Sequence, residues 1–264
     1  MWLDVSARLT YDFAEPCETL LLIEAARGPD QAVHAETLTM TPDGAIVRLD
    51  DSLTGERRAV VQAHGRVDIA YDATVEVAAR DHRLAGAAAS PIRELPAEAL
   101  RYLRPSRYCP SDRFERFVER QFGKLSGGDK VDAILDWICS HVDYEAGVSN
   151  SATTSEDTFA ARAGVCRDFA HLAISLCRAA DIPARAVSAY AWKLRPADLH
   201  AVIEVFVGGR WRLADATRKA PVEGLVRIAS GADAADIAFM TIFGRAELVT
   251  QSFEVSKARG RQAR

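Results

Sequence analysis

Three residues in the second half of the chain have the types and the spacing for thiol chemistry: Cys166, His200 and Asp215. After Gly164 the residues Phe169, Leu172, Ala173, Leu176, Cys177 and Ala180 recur at steps of three and four, the period of one helix face. Asp181-Ile182-Pro183 ends that pattern, because proline lacks an N–H and clashes with the preceding turn. Cys166 therefore falls in the first turn of a helix. Gly164 and Val165 before it offer no side-chain cap, so the first backbone N–H groups are left to face a ligand. That position favours an anionic sulfur, and Arg167 beside it is expected to help. The same N–H groups would hold the oxyanion that forms when sulfur attacks a carbonyl. By itself Cys166 reads more readily as a buried cysteine, as Cys177 does further along the same face.

A thiol nucleophile needs a base, and the base needs an orienting group. The strand-like run Leu199-His200-Ala201-Val202-Ile203-Glu204-Val205-Phe206-Val207 is followed by Gly208-Gly209 and then Arg210-Trp211-Arg212-Leu213-Ala214-Asp215-Ala216-Thr217. A two-residue Gly-Gly loop signals a hairpin. Pairing Val207 with Arg210 sets Phe206 opposite Trp211, Glu204 opposite Leu213, Val202 opposite Asp215 and His200 opposite Thr217. In that register His200 and Asp215 are diagonal neighbours on one face, about 7–8 Å apart at Cα, a gap their side chains can close. A one-residue slip would put them on opposite faces.

The run Gly164-Val165-Cys166-Arg167-Asp168-Phe169-Ala170-His171-Leu172 resembles the nucleophile motif of the bacterial transglutaminase-like superfamily. Ile182-Pro183-Ala184-Arg185 resembles that family's helix exit. Leu199-His200-Ala201 and Gly209-Arg210-Trp211-Arg212-Leu213-Ala214-Asp215-Ala216-Thr217 resemble its histidine and aspartate strands. Pro105-Ser106-Arg107-Tyr108-Cys109-Pro110-Ser111-Asp112 and the β-rich first half resemble members with an N-terminal β-domain. The resemblance spans nearly the whole chain and is most specific over 155–221. It implies Cys166 as nucleophile, His200 as base and Asp215 as its orienter, with no metal or organic cofactor. One departure stands out. The family often has tryptophan after the His-Ala pair, and here Val202 takes that place, which would loosen the packing around the imidazole or widen the pocket.

Other clusters carry less. Cys139, His141 and Asp143 alternate at the end of a helical pattern, where steps of two do not share a face, so a metal site is not expected. Asp168 and His171, three apart on the cysteine helix, read either as a pair supporting the site or as a helix-surface contact. Tyr144 and Trp192 are candidate pocket walls. His34, His64 and His82 read as surface or loop residues. Five cysteines without close CxxC spacing argue against a disulfide framework.

The elements that must hold these residues divide the chain. Segments 5–13, 19–25, 32–40, 45–49 and 65–79 alternate as strands, separated by Glu15-Pro16, Gly28-Pro29 and Pro42-Asp43-Gly44. Prolines 91, 96, 105 and 110 mark a linker, and helical spacing follows at 112–122 and 129–142, with Ser111 and Asp129 as expected caps. The expected fold is α+β: an N-terminal antiparallel β-sandwich at 1–95, a linker at 96–110, and a transglutaminase-like, papain-like catalytic domain at 111–264, with the cysteine helix packed on an antiparallel sheet. The polar, basic segment 257–264 is expected to fray.

The chain has 264 residues, 48% hydrophobic and 27% charged, with a net charge of -4. No basic excess marks a nucleic-acid partner, because the arginines 101, 104, 107, 113, 116 and 120 are interleaved with acids. No apolar run approaches the roughly 20 residues of a membrane span, and the N-terminus lacks a signal-peptide pattern, so a cytoplasmic location is expected. The expected function is hydrolysis of a peptide or other amide by a cysteine protease or amidase. The alternatives are an inactive binding or scaffold protein that keeps the fold, and a protein-crosslinking transglutaminase.

Overall fold

Alternation of apolar and polar residues begins at Trp2 and builds two strands much longer than the punctuation suggests. A computed structural model describes residues 1–50 and 54–258; of the tail expected to fray, residues 259–264 lie outside the described residues. In chain order the strands are β1 (Trp2–Leu21), β2 (Gln31–Thr41), β3 (Ile46–Asp50), β4 (Arg57–Val77), β5 (Asp143–Tyr144), β6 (Ala163–Gly164), β7 (Ala184–Ala191), β8 (Leu199–Val207), β9 (Arg210–Ala214), β10 (Leu225–Gly231), β11 (Met240–Ile242) and β12 (Ala246–Lys257). The helices are α1 (Ala97–Leu100), α2 (Glu115–Phe122), α3 (Gly127–His141), α4 (Ser155–Ala161), α5 (Cys166–Ala179) and α6 (Ala234–Ile237).

Strands β1 and β4 form one antiparallel pair from Trp2–Glu76 to Leu21–Ala59. The break expected at Glu15-Pro16 is instead a bulge between Phe13 and Cys17, where proline removes no ladder donor. The outer partners change across this bulge. On one side β2 and β12 flank the pair, and on the other β3 and β11 do. The result is an antiparallel sandwich whose interior takes alternate residues of both long strands, among them Leu3, Val5, Ala7 and Leu9 from β1 and Val67, Ile69 and Tyr71 from β4.

In the other half, β10-β7-β8-β9 form an antiparallel sheet. Helix α5 lies against β7 and β8, with α3 and α4 also packed on it. Leu172, Ala173, Ile174, Leu176 and Cys177 have no solvent exposure, so this helix is core on nearly every side. Burying each large side chain there contributes roughly 1.5–3 kcal/mol. Even Arg178 is buried. It donates to the carbonyls of Ala184, Arg104 and Ala232 and to the Ser106 hydroxyl, tying three chain segments to the end of α5.

The expected division at 1–95, 96–110 and 111–264 differs from this core in two places. Strands β11 and β12 return to pair with β1, so residues 240–257 complete the first sheet rather than the second half. The stretch expected to be a linker is packed: Tyr102 and Cys109 are buried, and Tyr108 stacks on His171 with 5.1 Å between centroids. Proline spacing marks where regular structure stops, and it does not reveal what the irregular chain covers. The two halves share one continuous apolar cluster. Tyr190 also donates to the Ile23 carbonyl at 2.7 Å, and Glu56 accepts from Ser230 N–H at 2.8 Å. The expected caps differ too: Ser126, not Asp129, stands at the N-cap of α3, and Phe114, not Ser111, at that of α2.

Candidate active site

Cys166 is the first residue of α5 and is half-buried. Val165 before it is extended, with φ -108° and ψ -178°. The Val165 N–H is taken by Asp168 Oδ2 at 2.9 Å, and the Asp168 and Phe169 N–H groups bond the Val165 carbonyl. Gly164 is needed here, because a Cβ on it would lie 2.7 Å from the Asp168 Cβ. The fully buried Asp168 thus closes the helix start from below, while the Cys166 end faces outward. Arg167 was expected to favour an anionic sulfur. Its guanidinium instead bonds Asp168 Oδ1 at 2.9 Å and the Asn150 carbonyl at 2.6 Å, so its charge is spent locally.

The hairpin forms in the expected register, with Val207 opposite Arg210, Phe206 opposite Trp211 and Glu204 opposite Leu213. Gly208 and Gly209 both have positive φ, 62° and 74°, as a two-residue turn of this kind requires. The ladder stops at Ala214, and the chain then turns so that Asp215 folds back under His200. His200 Nε2 donates to Asp215 Oδ2 at 2.9 Å. Asp215 also accepts from Thr217 Oγ1 at 2.7 Å, Thr217 N–H at 2.9 Å and Ala220 N–H at 3.1 Å. With Thr217 donating to Asp215, the hydrogen on Nε2 follows from the network, and Nδ1 is the free ring atom. Nδ1 is buried without a hydrogen-bond partner.

Burial alone would push the His200 imidazole down. The hydrogen bond to Asp215, then the Cys166 thiol acting as a hydrogen-bond partner, and the charges of both outweigh it and raise the imidazole to about 9. Burial would likewise raise the Asp215 carboxyl, but the His200 and Thr217 bonds hold it below the ordinary carboxylate value. The arrangement is a thiol at a helix start, an imidazole able to carry its proton, and a carboxylate fixing the imidazole's tautomer.

Comparison with known proteins is consistent with this geometry. Residues 111–216 match the family model of the transglutaminase-like superfamily. A solved structure from Cytophaga hutchinsonii, described as a "putative cysteine protease", is 37% identical, covers 100% of this chain and 92% of its own, and superposes with a TM-score of 0.91. The chain belongs to the transglutaminase-like superfamily. An uncharacterised protein of Mycobacterium leprae is 30% identical over 145 residues, and the match spans about half of each chain, 52% in both cases. The periplasmic domain of TgpA from Pseudomonas aeruginosa is a distant likeness, at 15% identity, 83% and 91% coverage and a TM-score of 0.42.

Around this transglutaminase-like site the other candidates separate. Tyr144 comes to the helix start because β5 pairs with β6, setting Tyr144 opposite Gly164. Trp192 packs elsewhere, against Gly224 and beneath the ammonium groups of Lys193 and Lys257. Val202 is fully buried among Val187, Ala189, Leu213 and Leu225, so the space expected to loosen around it is filled. Asp168 and His171 do not serve each other: His171 Nε2 accepts from Ala234 N–H at 3.1 Å. Cys139 is exposed, and the His141 ring bonds the Trp137 carbonyl and stacks on Trp137. Sequence reading missed Thr217 as a partner of Asp215. The signal was present, because Asp-x-Thr after a strand is a turn in which the carboxylate bonds the backbone two residues on. It also missed Asp198, an exposed residue just before β8 whose carboxyl is raised by desolvation and lies close enough to His200 for the ring's charge to act on it.

Among the described residues, no helix is long and apolar enough to cross a membrane.

Proposed function

We propose that this protein is a cysteine-dependent amide hydrolase, acting on peptides or related amides, with Cys166 as nucleophile, His200 as proton carrier and Asp215 as orienter. His200 takes the Cys166 proton at Nδ1, and the sulfur adds to the carbonyl carbon while the carbonyl π pair moves to oxygen. Collapse re-forms the carbonyl and breaks the C–N bond, with the amine leaving on the proton from His200. Water, losing a proton to His200, then cleaves the thioester and returns the thiol. Hydrolysis is the default outcome because no sequence feature selects an acceptor amine over water.

The observation that supports this reading is the buried His200–Asp215 bond of 2.9 Å, which commits Nε2 and leaves Nδ1 as the ring atom without a partner. The test is brief alkylation with iodoacetamide at neutral pH, read by mass spectrometry, together with peptide and amide profiling of wild type against Cys166→Ala. Cys166 should label first among the five cysteines, and turnover should vanish in the variant. Labelling led by exposed Cys139, with Cys166 inert, would sink the reading.

A further inference from the structure

Asp198 stands one residue before β8 and two before His200, so the two side chains leave the extended chain on the same side. The residue is exposed. Its Oδ1 accepts from the Leu199 N–H at 2.7 Å, and among the described residues no arginine, lysine or hydroxyl pairs with it. The other carboxylates around the site differ. Asp168 is paired with Arg167, Glu204 with Arg185 and Arg227, and Asp215 with His200. The Asp198 carboxylate is close enough to act on both the His200 ring and the Tyr144 hydroxyl, and the Cys166 thiol acts on the same two groups. Tyr144 is held there by the pairing of β5 with β6, opposite Gly164. Asp198 thus stands at the mouth of the site, next to both neighbours of the sulfur.

Proton transfer from Cys166 to His200 leaves that pair without net charge, and Asp215 is buried and bonded to the ring. Lys219 stacks on the Tyr144 ring with its ammonium 4.2 Å from the centroid, while the charge that acts on Asp198 is that of His200. Desolvation raises the Asp198 carboxyl, whereas the Leu199 N–H and the His200 charge favour its ionised form. A carboxylate that has lost water and gained no basic side chain is completed by a positive group from outside, through a charge-assisted hydrogen bond. We propose that Asp198 is a specificity-determining residue, selecting substrates that place an ammonium or guanidinium group a few bonds from the scissile carbonyl. An amide beside a lysine or arginine side chain has that chemistry. The inference rests on Cys166 being the nucleophile, and the test separates the two ideas.

The probes are the 2-aminoethyl, 2-sulfonatoethyl and methyl methanethiosulfonates, which are cationic, anionic and neutral. In each reaction the Cys166 sulfur attacks the sulfenyl sulfur, an S–S bond forms, and methanesulfinate leaves. Rates are followed by mass spectrometry at neutral pH, and each charged reagent is divided by the neutral one, so a change in thiol reactivity cancels. Wild-type Cys166 should prefer the cation to the anion. Asp198→Asn, which keeps an oxygen for the Leu199 N–H, should cut that preference by ~10-fold at low ionic strength, and Asp198→Lys should reverse it. The same ratio at the exposed Cys139 should stay unchanged in both variants. No preference in wild type, or a preference that survives Asp198→Asn, overturns the inference and leaves the nucleophile in place. An equal fall at Cys139 also overturns it, since the effect would then be one of overall charge. If Cys139 reacts and wild-type Cys166 takes none of the three reagents, the nucleophile reading fails and this inference fails with it.

Discussion

At His200, burial and pairing act in opposite directions, and the pairing wins because it is double: Asp215 holds Nε2, and the Cys166 thiol also favours the protonated ring. An imidazole raised to about 9 keeps its proton at neutral pH and can give it to a leaving amine. Acyl transfer from an amide should therefore decline as pH rises through about 9, where the acid is lost. Asp215→Asn removes the charge that outweighs burial, so the imidazole should fall to or below the ~6.5 of an unperturbed histidine. The alkaline limb of the rate profile should move down with it, and the rate near neutral pH should drop by ~10³-fold or more, since an amide also permits the wrong tautomer. A pH–rate profile of both proteins on one amide substrate checks this. An unmoved alkaline limb in the variant would mean that Asp215 does not set the proton affinity of His200.

The elements that deliver these side chains differ in how plainly the sequence announces them. The hairpin is legible because Gly208-Gly209 admits few turns, and the turn fixes every pairing back to Glu204–Leu213. One residue inserted between Gly208 and Gly209 should therefore leave α5 and the first sheet folded while abolishing acyl transfer. Circular dichroism and thermal unfolding would report the first part, and the nitrophenolate burst from p-nitrophenyl acetate the second. Retained acyl transfer would mean that the 215–220 turn, and not the hairpin, positions Asp215. Helix α5 is equally legible from its period and its Asp-Ile-Pro stop. The partners of its charged residues are not. Arg167 reads as a cation near sulfur and is consumed by Asp168 and Asn150. Arg178 carries no local signal of its role, yet it is buried and bridges carbonyls from 104, 184 and 232. Such contacts join residues far apart in the chain, and no local pattern encodes them. The same holds for the bulge at Pro16, which local punctuation marks as an end and tertiary pairing turns into a bend.

At the scale of the whole molecule, the sequence separates strand-rich from helix-rich chain, but it does not reveal that the last strands return to the first sheet or that one apolar cluster runs through both halves. Strand pairing between residues 246–257 and β1 is decided by an open edge, which periodicity cannot see. Two histidines inside this shared structure should give its stability a pH dependence of both signs. His171 is buried on α5, stacked on Tyr108 and accepting from Ala234 N–H, and burial, above all, lowers it to about 4. An unfolded histidine binds its proton near 6.5, so between 6.5 and 4 the unfolded chain holds a proton that the folded one refuses. Stability should thus fall as pH drops through that window, by roughly 3 kcal/mol at most. His200 has the opposite sign: raised to about 9, it contributes fully below 6.5 and loses that contribution as pH rises through 9. The lowered carboxylates Asp30, Asp215 and Asp233 act only at lower pH, below about 4. Urea midpoints measured from pH 4 to 10 should therefore peak near 6.5. In His171→Phe, which keeps an aromatic ring against Tyr108, the acid slope between 6.5 and 4 should flatten while the alkaline slope stays. In Asp215→Asn the alkaline slope between 6.5 and about 8.5 should flatten instead, below the range where the buried thiols Cys109 and Cys177, pushed up to about 12, add a loss of their own. An acid slope that survives in His171→Phe would assign the loss to other groups and remove His171 as its source.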